Sequence, residues 1–486
     1  MKRNAVKGIV CLVAVLLLIY LGFAFYFRSH YLWHTTVGSV KCGGKTAEYV
    51  IDCNKRTADD YLLTIIDRNN NKYHLAGIDF SYRYIPKGEE ESILDSQNPF
   101  TWPASIFKSY NYDLNKSVSY DTEQYKKALD SLEIFSEDYI VAPKNAKIKI
   151  EKDTFEVIDE VIGCTPIPER IDDLTTDALN NQVTELTLGG ECYVQPTIFS
   201  KDKCVIDAAE LITKYMSATI HYNIDGADEN FTTERILSMI RVDKDFNVTL
   251  STEPAEDFVQ HLASTYNTYA DVRKIKTSKG DTIKLGGGDY GWVINKSKEV
   301  EQIMADLENG QPIEREPVYE QRAIKSGLDD IGNTYIEIDY TNQHLWYYKN
   351  GKLKAESDIV SGNINKQNGS VDGIFKIVYK QKDATLVGED YSTAVKYFMP
   401  FAYNIGIHDA SWKSQFGGTI YKTAGSHGCI NVPPAFAKEL FGMVEVGTPV
   451  IAYYREKVEL TNNAARMSNA YSYVEKEDTD NKKKSN

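Results

Sequence analysis

The chain has 486 residues, which is too many for a single hydrophobic core and indicates about three domains of roughly 150 residues each. A charged fraction of 26% and a hydrophobic fraction of 42% are ordinary for globular protein. The net charge of −14 argues against nucleic acid as a partner and against electrostatic docking on an anionic surface.

Residues 8–27 form an uncharged run of apolar and small residues that is long enough to cross ~30 Å of hydrocarbon as a helix. Lys2, Arg3 and Lys7 precede the run, so we expect the N-terminus in the cytoplasm and everything after Arg28 outside. A cleaved signal peptide is the alternative, but no small-x-small cleavage site follows, and the run exceeds the usual ~7–15 residues. We therefore predict a single-pass anchor in the cell membrane.

The middle of the chain contains a weak internal repeat with an offset near 130, in which residues 118–123 match residues 248–253. Each copy reads as a strand followed by an N-cap, Asp121 in the first and Ser251 in the second, and then an amphipathic helix. Each continues with strand-like stretches and a second helical segment, near 171–186 and 297–307. Two α+β modules of this kind are typical of spacers or binding modules.

Beyond residue 332 the pattern changes to short strands. Residues 334–339 and 344–348 alternate in polarity, and Asn350-Gly351 is a strong hairpin signal. One helix is predicted from Pro434 or Ala435 to about Met443, followed by a strand at 449–454. The region from 332 to 455 is therefore predicted to be mostly β.

Five cysteines lie outside the membrane segment and away from the C-terminal motif described next: Cys42, Cys53, Cys164, Cys192 and Cys204. An oxidising exterior permits disulfides, and Cys42 with Cys53 and Cys192 with Cys204 are short-loop candidates that leave one thiol over. Since no CxxC, HxxxH or HExxH spacing occurs, the sequence predicts neither a metal site nor a cofactor.

The hexapeptide Ser426-His427-Gly428-Cys429-Ile430-Asn431 carries the most chemistry, together with His408 upstream. A free thiol titrates near pH ~8.5 and needs a neighbouring base to become a nucleophile. His427 shares a face with Cys429 on an extended segment, whereas His408 needs the fold to bring it close, so either could be the base. The N–H groups of Gly428 and Cys429 could stabilise an oxyanion. A buried structural cysteine is the alternative.

This motif, with the upstream Gly-Ile-His-Asp-Ala, resembles the L,D-transpeptidases of bacterial cell walls over about residues 332–455. The two modules look like the peptidoglycan-binding domains that precede this catalytic domain in some Gram-positive bacteria. The resemblance implies a β-sandwich-like catalytic fold and a thioester on Cys429. It further implies release of D-Ala from a tetrapeptide stem, 3→3 cross-linking to a second stem without a cofactor, and covalent inhibition by carbapenem-type β-lactams.

By that similarity His408 transfers the proton, with its second ring nitrogen held by a backbone carbonyl. His427 lines the same site, and Ser426 and Asn431 fix the loop. Tyr397, Met399 and Tyr403 could form walls of the substrate pocket, with packing in the core as the alternative for each, and Asp409 is a further candidate for substrate binding. The family commonly has Thr-Pro-x-Gly before a Phe-containing strand, whereas this chain has Gly369-Ser370-Val371-Asp372-Gly373 there.

The expected organisation is multidomain, with membrane-anchored α+β modules followed by a mostly-β catalytic domain. The predicted segments are a cytoplasmic terminus (1–7), a transmembrane helix (8–27), a stalk (28–60), module 1 (61–205), module 2 (206–328), the catalytic domain (332–455) and a disordered tail (456–486). An L,D-carboxypeptidase or endopeptidase, with water as the acceptor, and a non-catalytic wall-binding protein remain the alternatives.

Overall fold

The computed structural model describes residues 2–115, 117–224, 226–327, 329–388, 391–461 and 463–468. It divides into two compact units, unit 1 with Met1–Lys149 and Val157–Val205, and unit 2 with Ile150–Glu156 and Ile206–Asn486. Most of the tail that was predicted to be disordered, residues 469–486, lies outside the described residues.

Unit 1 is a mixed α/β module behind a long N-terminal helix. Its elements are α1 (Lys2–Tyr26), β1 (Thr35–Val37), β2 (Val40–Lys41), α2 (Ala47–Asp59), β3 (Leu62–Ile66), β4 (Lys72–Ala76), β5 (Arg83–Tyr84), α3 (Glu89–Ser96), β6 (Tyr110–Tyr112), β7 (Val118–Ser119), α4 (Thr122–Asp130), β8 (Lys147–Ile150), β9 (Phe155–Ile158), α5 (Pro168–Asn180) and β10 (Glu185–Thr187).

The apolar helix α1 is almost entirely exposed and is long and apolar enough to cross a membrane. Such a helix near the N-terminus could equally be a signal sequence, so length and composition define only a candidate span.

Residues 28–60 are not the stalk that the sequence predicted. They contain β1, β2 and the amphipathic helix α2, capped by the Thr46 side chain, and they bury Tyr31, Val37 and Val50 completely. Helix α2 exposes most of its residues and buries one narrow face, so the sequence of this stretch does not look like a folded element.

Asp121 does cap α4, since its carboxylate accepts from the N–H groups of Glu123 and Gln124. The second helix of this module ends at Asn180, earlier than predicted. The following residues form β10, which pairs in parallel with β3.

Unit 2 begins with the second mixed module. Its elements are α6 (Lys203–Ser217, which starts at the end of unit 1), β11 (Ile220–Ile224), β12 (Ala227–Phe231), α7 (Thr233–Met239), β13 (Ile240–Val242), β14 (Val248–Leu250), α8 (Glu253–Tyr266), β15 (Arg273–Lys276), β16 (Thr282–Leu285), β17 (Val293–Ile294), α9 (Lys296–Asn309), β18 (Ile313–Arg315) and β19 (Tyr319–Gln321). The N-cap position of helix α8 is Thr252 rather than Ser251 as predicted, and the Thr252 side chain makes no capping hydrogen bond.

The rest of unit 2 is rich in β-structure. It contains β20 (Tyr335–Asp339), β21 (His344–Lys349), β22 (Lys352–Asp358), β23 (Gly373–Lys376), β24 (Gln381–Val387), β25 (Ser392–Ala402), β26 (Ile405–Asp409), α10 (Ile420–Ala424), β27 (Ile430–Val432), α11 (Pro434–Met443), β28 (Pro449–Tyr453) and α12 (Asn463–Ser468). The helix predicted to begin at Pro434 or Ala435 is present as α11 and begins at Pro434.

These strands form two sheets, one ordered β22-β21-β20-β28-β23 and the other β24-β25-β26-β27. One hydrophobic core lies between them. It takes Ile338 and Val450 from the first sheet, Met399 and Ile407 from the second, and Leu440 from α11. Because both sheets contribute to a single core, the position of one relative to the other is fixed by close packing.

Polar contacts within unit 2 connect the second module to the first of these sheets. The Glu337 carboxylate, fully buried in β20, accepts from the Ser278 N–H at 2.9 Å and from the Tyr453 hydroxyl at 2.7 Å. The Arg455 guanidinium binds Asp281 at 2.7 Å and also binds Asp339. The two buried carboxylates, Glu337 and Asp339, are thus hydrogen-bonded or paired, as burial away from water requires.

All seven cysteines lie in the described part of the chain and are free thiols. The two disulfides that were considered from the sequence, Cys42 with Cys53 and Cys192 with Cys204, are therefore not formed.

Candidate active site

The pairing of β26 with β27 brings the upstream histidine beside the hexapeptide. The two strands run parallel, with Ile407 opposite Ile430 and His408 opposite Asn431. They border a cavity of about 220 Å³ whose lining residues are Leu386, Tyr391, Thr393, His408, Trp412, Lys413, Gly425, Ser426, His427, Cys429 and Asn431. Both histidines and the cysteine therefore face one cavity.

The segment 360–363 holds both ends of the hexapeptide. At one end, the Val360 N–H donates to the Asn431 carbonyl at 2.9 Å, and the Asn431 N–H donates back at 3.0 Å. At the other end, the Ser426 N–H donates to the Ser361 carbonyl at 3.0 Å, and the Asn363 N–H donates to the Ser426 carbonyl at 2.9 Å. Four backbone hydrogen bonds thus fix where the loop starts and stops.

A buried hydroxyl supports the middle of the same loop. The Ser370 Oγ accepts from the Gly362 N–H at 2.9 Å and donates to the Gly428 carbonyl at 2.6 Å. Ser370 is completely buried. It lies in the stretch where the sequence departs from the family pattern, so this stretch has a defined role as a brace behind the site.

The turn through Gly428 is closed by a side chain of the motif itself. The Gly428 N–H donates to the Ser426 Oγ at 3.1 Å, and the Ser426 hydroxyl donates to the Cys429 carbonyl. The amide of Gly428 is therefore already bonded within the loop. The oxyanion role of the Gly428 and Cys429 N–H groups stays a prediction. The φ of Gly428 is +121°, a conformation that side-chain-bearing residues rarely adopt.

The thiol of Cys429 is partly open to the cavity and otherwise surrounded by dense protein. Its Sγ lies 3.7 Å from the carbonyl oxygen of Asn404, a weak S–H contact. Burial raises the pKa of Cys429 from 9.0 to about 11. At neutral pH the group is therefore a thiol, and reaction with an acyl donor requires a base that takes its proton.

His408 has the electrostatic properties of such a base. It is buried, and loss of hydration lowers the pKa of its imidazole, although the nearby Asp409 carbonyl partly opposes this effect. Its Nδ1 lies 2.9 Å from the Asp409 carbonyl oxygen. Because a carbonyl only accepts, Nδ1 carries the proton and Nε2 keeps a lone pair. The ring is thus neutral at pH 7, with one nitrogen able to accept a proton.

His427 lies in a different environment. It is exposed, and its ring stacks on that of Tyr391 with centroids 4.7 Å apart and an interplanar angle of 27°. Stacking orients the imidazole at the rim of the cavity. Unlike His408, it is not enclosed by core packing.

The side chains expected to form the walls of the pocket lie elsewhere. Met399 is fully buried in the core between the sheets, and Tyr397 packs against Phe441. The buried carboxylate of Asp409 accepts from two backbone N–H groups of β25, each at 2.8 Å. None of these residues, nor Tyr403, is among the lining residues of this cavity, and their part in substrate binding stays a prediction.

Several lining residues were missed by the sequence reasoning. Trp412 is half exposed, with its ring centroid 6.0 Å from that of His408, and Lys413 donates to the Ala424 carbonyl at 2.6 Å. Their closeness to His408 in the sequence was a usable signal. Leu386 and Thr393 belong to the β24–β25 hairpin, which was not predicted from the sequence.

Comparisons with known proteins agree with this geometry. Residues 333–451 match a family model described as "L,D-transpeptidase catalytic domain", and residues 88–165 and 200–315 match one described as "Putative peptidoglycan binding domain". The comparison with curated proteins gives no match.

Among solved structures, an L,D-transpeptidase of Enterococcus faecium, crystallised as a cysteine mutant, is 37% identical over 50% of this chain and 98% of its own, with a TM-score of 0.42. The catalytic domain from E. faecium, determined by NMR, is 50% identical over 25% of this chain and 97% of its own, with a TM-score of 0.24. The same domain acylated by ertapenem is also 50% identical, over 25% of this chain and 98% of its own, with a TM-score of 0.24.

The class of protein follows from the catalytic-domain match and from the 37% identity over nearly the whole E. faecium enzyme: this is an acyltransferase. The chain belongs to the L,D-transpeptidase family, with peptidoglycan-binding domains before the catalytic domain, and its reaction is the cross-linking of peptidoglycan.

Proposed function

We propose that the enzyme forms 3→3 cross-links by a two-step acyl transfer through Cys429. The Sγ attacks the carbonyl carbon that joins the third stem residue to D-Ala, and His408 Nε2 takes the thiol proton. His408 returns this proton to the departing D-Ala amine as the C–N bond breaks, and a thioester remains. The side-chain amine of a second stem then attacks the thioester, its proton passes to His408, and the thiol is regenerated.

The single observation that carries the assignment is the tautomer of His408. Its Nδ1 is committed to the Asp409 carbonyl, so Nε2 is the nitrogen that can exchange a proton. A lowered pKa keeps the ring neutral, and the raised pKa of Cys429 makes a base necessary. His427, exposed at the rim, is the weaker candidate for this role.

The lining of the cavity suits an anionic peptide. Among its described residues Lys413 is the one with a full positive charge, and partial burial lowers the pKa of this amine. We propose that its ammonium group binds the free carboxylate of the terminal D-Ala. This contact would favour a donor stem that ends one residue after the attacked carbonyl.

We also propose that α1 anchors the chain in the cell membrane, with the catalytic domain on the cell-wall side. The basic residues before the apolar run support this orientation. The two modules that match peptidoglycan-binding domains would act outside the membrane, where their ligand is found. We propose the two modules (61–205 and 206–328) and the catalytic domain (332–455) with the boundaries expected from the sequence.

The test is digestion of purified tetrapeptide muropeptides by the full-length protein, with products identified by mass spectrometry. We expect 3→3 dimers and free D-Ala, whereas tripeptide alone would indicate the carboxypeptidase activity. His408→Ala should reduce acylation by ~10²–10⁴-fold, the usual contribution of a general base. His427→Ala should retain a measurable part of the activity. A greater loss of acylation in His427→Ala than in His408→Ala would contradict the assignment.

A carbapenem provides a direct probe of the nucleophile. A solved relative is acylated by ertapenem, and the mass of this enzyme should likewise rise by one carbapenem, located on Cys429 by peptide mapping. Cys429→Ala should take up none. Acylation at another residue would contradict the proposal.

A further inference from the structure

Several segments of unit 1 contact the far end of helix α1: Trp33 packs on Phe23, Gly44 accepts from the Tyr26 hydroxyl, and residues 99–107 contact the helix furthest back, at Tyr20. The Tyr20 hydroxyl donates to the Phe100 carbonyl at 2.8 Å, and the Trp102 indole N–H donates to the Tyr20 carbonyl at 3.0 Å. The Trp102 ring also packs on Phe23, with centroids 4.8 Å apart. Contacts to α1 therefore begin at Tyr20, and the helix before that residue is exposed.

Tyr20 lies too close to the start of α1 to reach the outer surface of a membrane that this helix crosses. The uncharged residues before it, Gly8–Ile19, cover about 18 Å at 1.5 Å per residue, whereas the hydrocarbon layer is ~30 Å thick. Extending the span back to Arg3, with its side chain snorkelling, gives about 25 Å. A helix that crosses the membrane must then bring Tyr20, and the segment bonded to it, into the outer leaflet.

The 99–107 segment has the side chains that such a depth requires. Phe107 is 92% exposed, Phe100 54% and Ile106 44%. An exposed apolar group of this kind is unusual on a surface that faces water alone. Lys108 directly follows Phe107, and Arg28 directly follows the apolar run, so cations lie where phosphate head groups would be. Trp102 and Tyr20 are the residue types enriched at membrane interfaces.

We propose that residues 99–107 form a lipid-binding wedge that inserts into the outer leaflet beside α1. The occupant of this apolar surface is phospholipid, with acyl chains against Phe100, Ile106 and Phe107. The wedge holds unit 1 against the membrane surface rather than at the end of a free tether. This inference rests on the proposed membrane anchor, and its test separates the two.

The experiment uses the full-length chain in nanodiscs of phosphatidylglycerol and phosphatidylethanolamine. A photoreactive phenylalanine analogue is placed singly at position 107, at position 16 within the exposed part of α1, or at position 446, where the exposed Val446 of the catalytic part is the control. After illumination, lipid adducts are quantified by mass spectrometry. We expect adducts at 16 and 107 in comparable yield, and none above background at 446.

Adducts at 16 alone would overturn the wedge and leave the anchor in place. Adducts at neither 16 nor 107 would overturn the anchor and the wedge together. Equal yields at 107 and 446 would also overturn the wedge, because contact with lipid would then be unspecific.

Discussion

Replacement of Ser370 by alanine tests whether the brace behind the active-site loop is needed for catalysis. In the described structure Ser370 is hydrogen-bonded to Gly362, Gly428 and Tyr454, and it lies 58 residues before the glycine that it supports. Its hydroxyl is the acceptor for the Gly362 N–H and the donor to the Gly428 carbonyl. Ser370→Ala leaves one buried donor and one buried acceptor without a partner.

Each buried polar group left without a partner costs ~1–3 kcal/mol, so the loop should lose about 2–6 kcal/mol of local stability. If about 2 kcal/mol of this loss appears in the acylation barrier, the rate falls by roughly 30-fold. The backbone around Gly428 should open more often, because its positive φ is then maintained by fewer contacts.

Two measurements check this expectation. Stopped-flow acylation by a carbapenem gives the rate, and hydrogen exchange of a peptide covering residues 426–432 gives the local opening. Ser357→Ala is the matched control, since it removes a hydroxyl that donates to the Asp358 carbonyl at 2.9 Å on the edge strand β22. A Ser370→Ala enzyme with acylation within about twofold of the parent, and unchanged exchange, would refute the reasoning.

Three further outcomes follow from the geometry. Burial raises the pKa of Cys429 to about 11, so the rate of its alkylation by iodoacetamide should rise about tenfold per pH unit between pH 7 and 9. Exposed Cys204 is the internal reference, and a rate that levels off below pH 8 would contradict the expectation. Lys413→Met should raise KM for tetrapeptide stems about tenfold, while carbapenem acylation changes little. Lys413→Arg should keep KM near that of the parent enzyme. An unchanged KM in Lys413→Met would exclude the carboxylate contact. Asp330→Asn removes the partner of Arg273, bonded at 2.6 Å in a buried site, and should destabilise unit 2 by about 3–5 kcal/mol in denaturant unfolding; no shift of the transition would contradict it.

The pH dependence of acylation has a defined sign. The pKa of His408 lies below its usual 6.5, so the neutral base persists on acidification and is lost only as pH falls through that lowered value. The acid limb of the rate profile should therefore lie below pH 6.5, and the same protonation should weaken folding there, since the unfolded state binds that proton more readily. An acid limb above pH 6.5 would indicate another base.

Local sequence was informative where one residue type has one physical use. Asp121 caps α4 because its carboxylate can accept hydrogen bonds from the backbone N–H groups two and three residues later. Pro434 starts α11 because a proline fits the first turn of a helix. Local sequence was misleading where tertiary packing decides which residues form an element. Residues 28–60 read as a stalk because the apolar face of α2 is narrow, and the N-cap position of α8 lies at Thr252, one residue later than predicted.

The pocket shows the same division. Tyr397, Met399 and Asp409 lie close to His408 in sequence, but a strand sends alternate side chains to opposite faces, and these residues face the core or the neighbouring strand. Trp412 and Lys413 follow the end of β26 and turn toward the cavity. Proximity in sequence therefore selected the region of the cavity but not the residues that line it.

The sequence by itself determined the chemistry: a cysteine beside a histidine and a glycine, a second histidine upstream, and an apolar segment at the N-terminus. Only the tertiary structure decided which parts of that chemistry act together. The parallel pairing of β26 with β27 places His408 beside Asn431, and the 360–363 segment and Ser370 hold the loop from behind. These contacts join residues far apart in the chain, and their geometry depends on packing that no local pattern encodes.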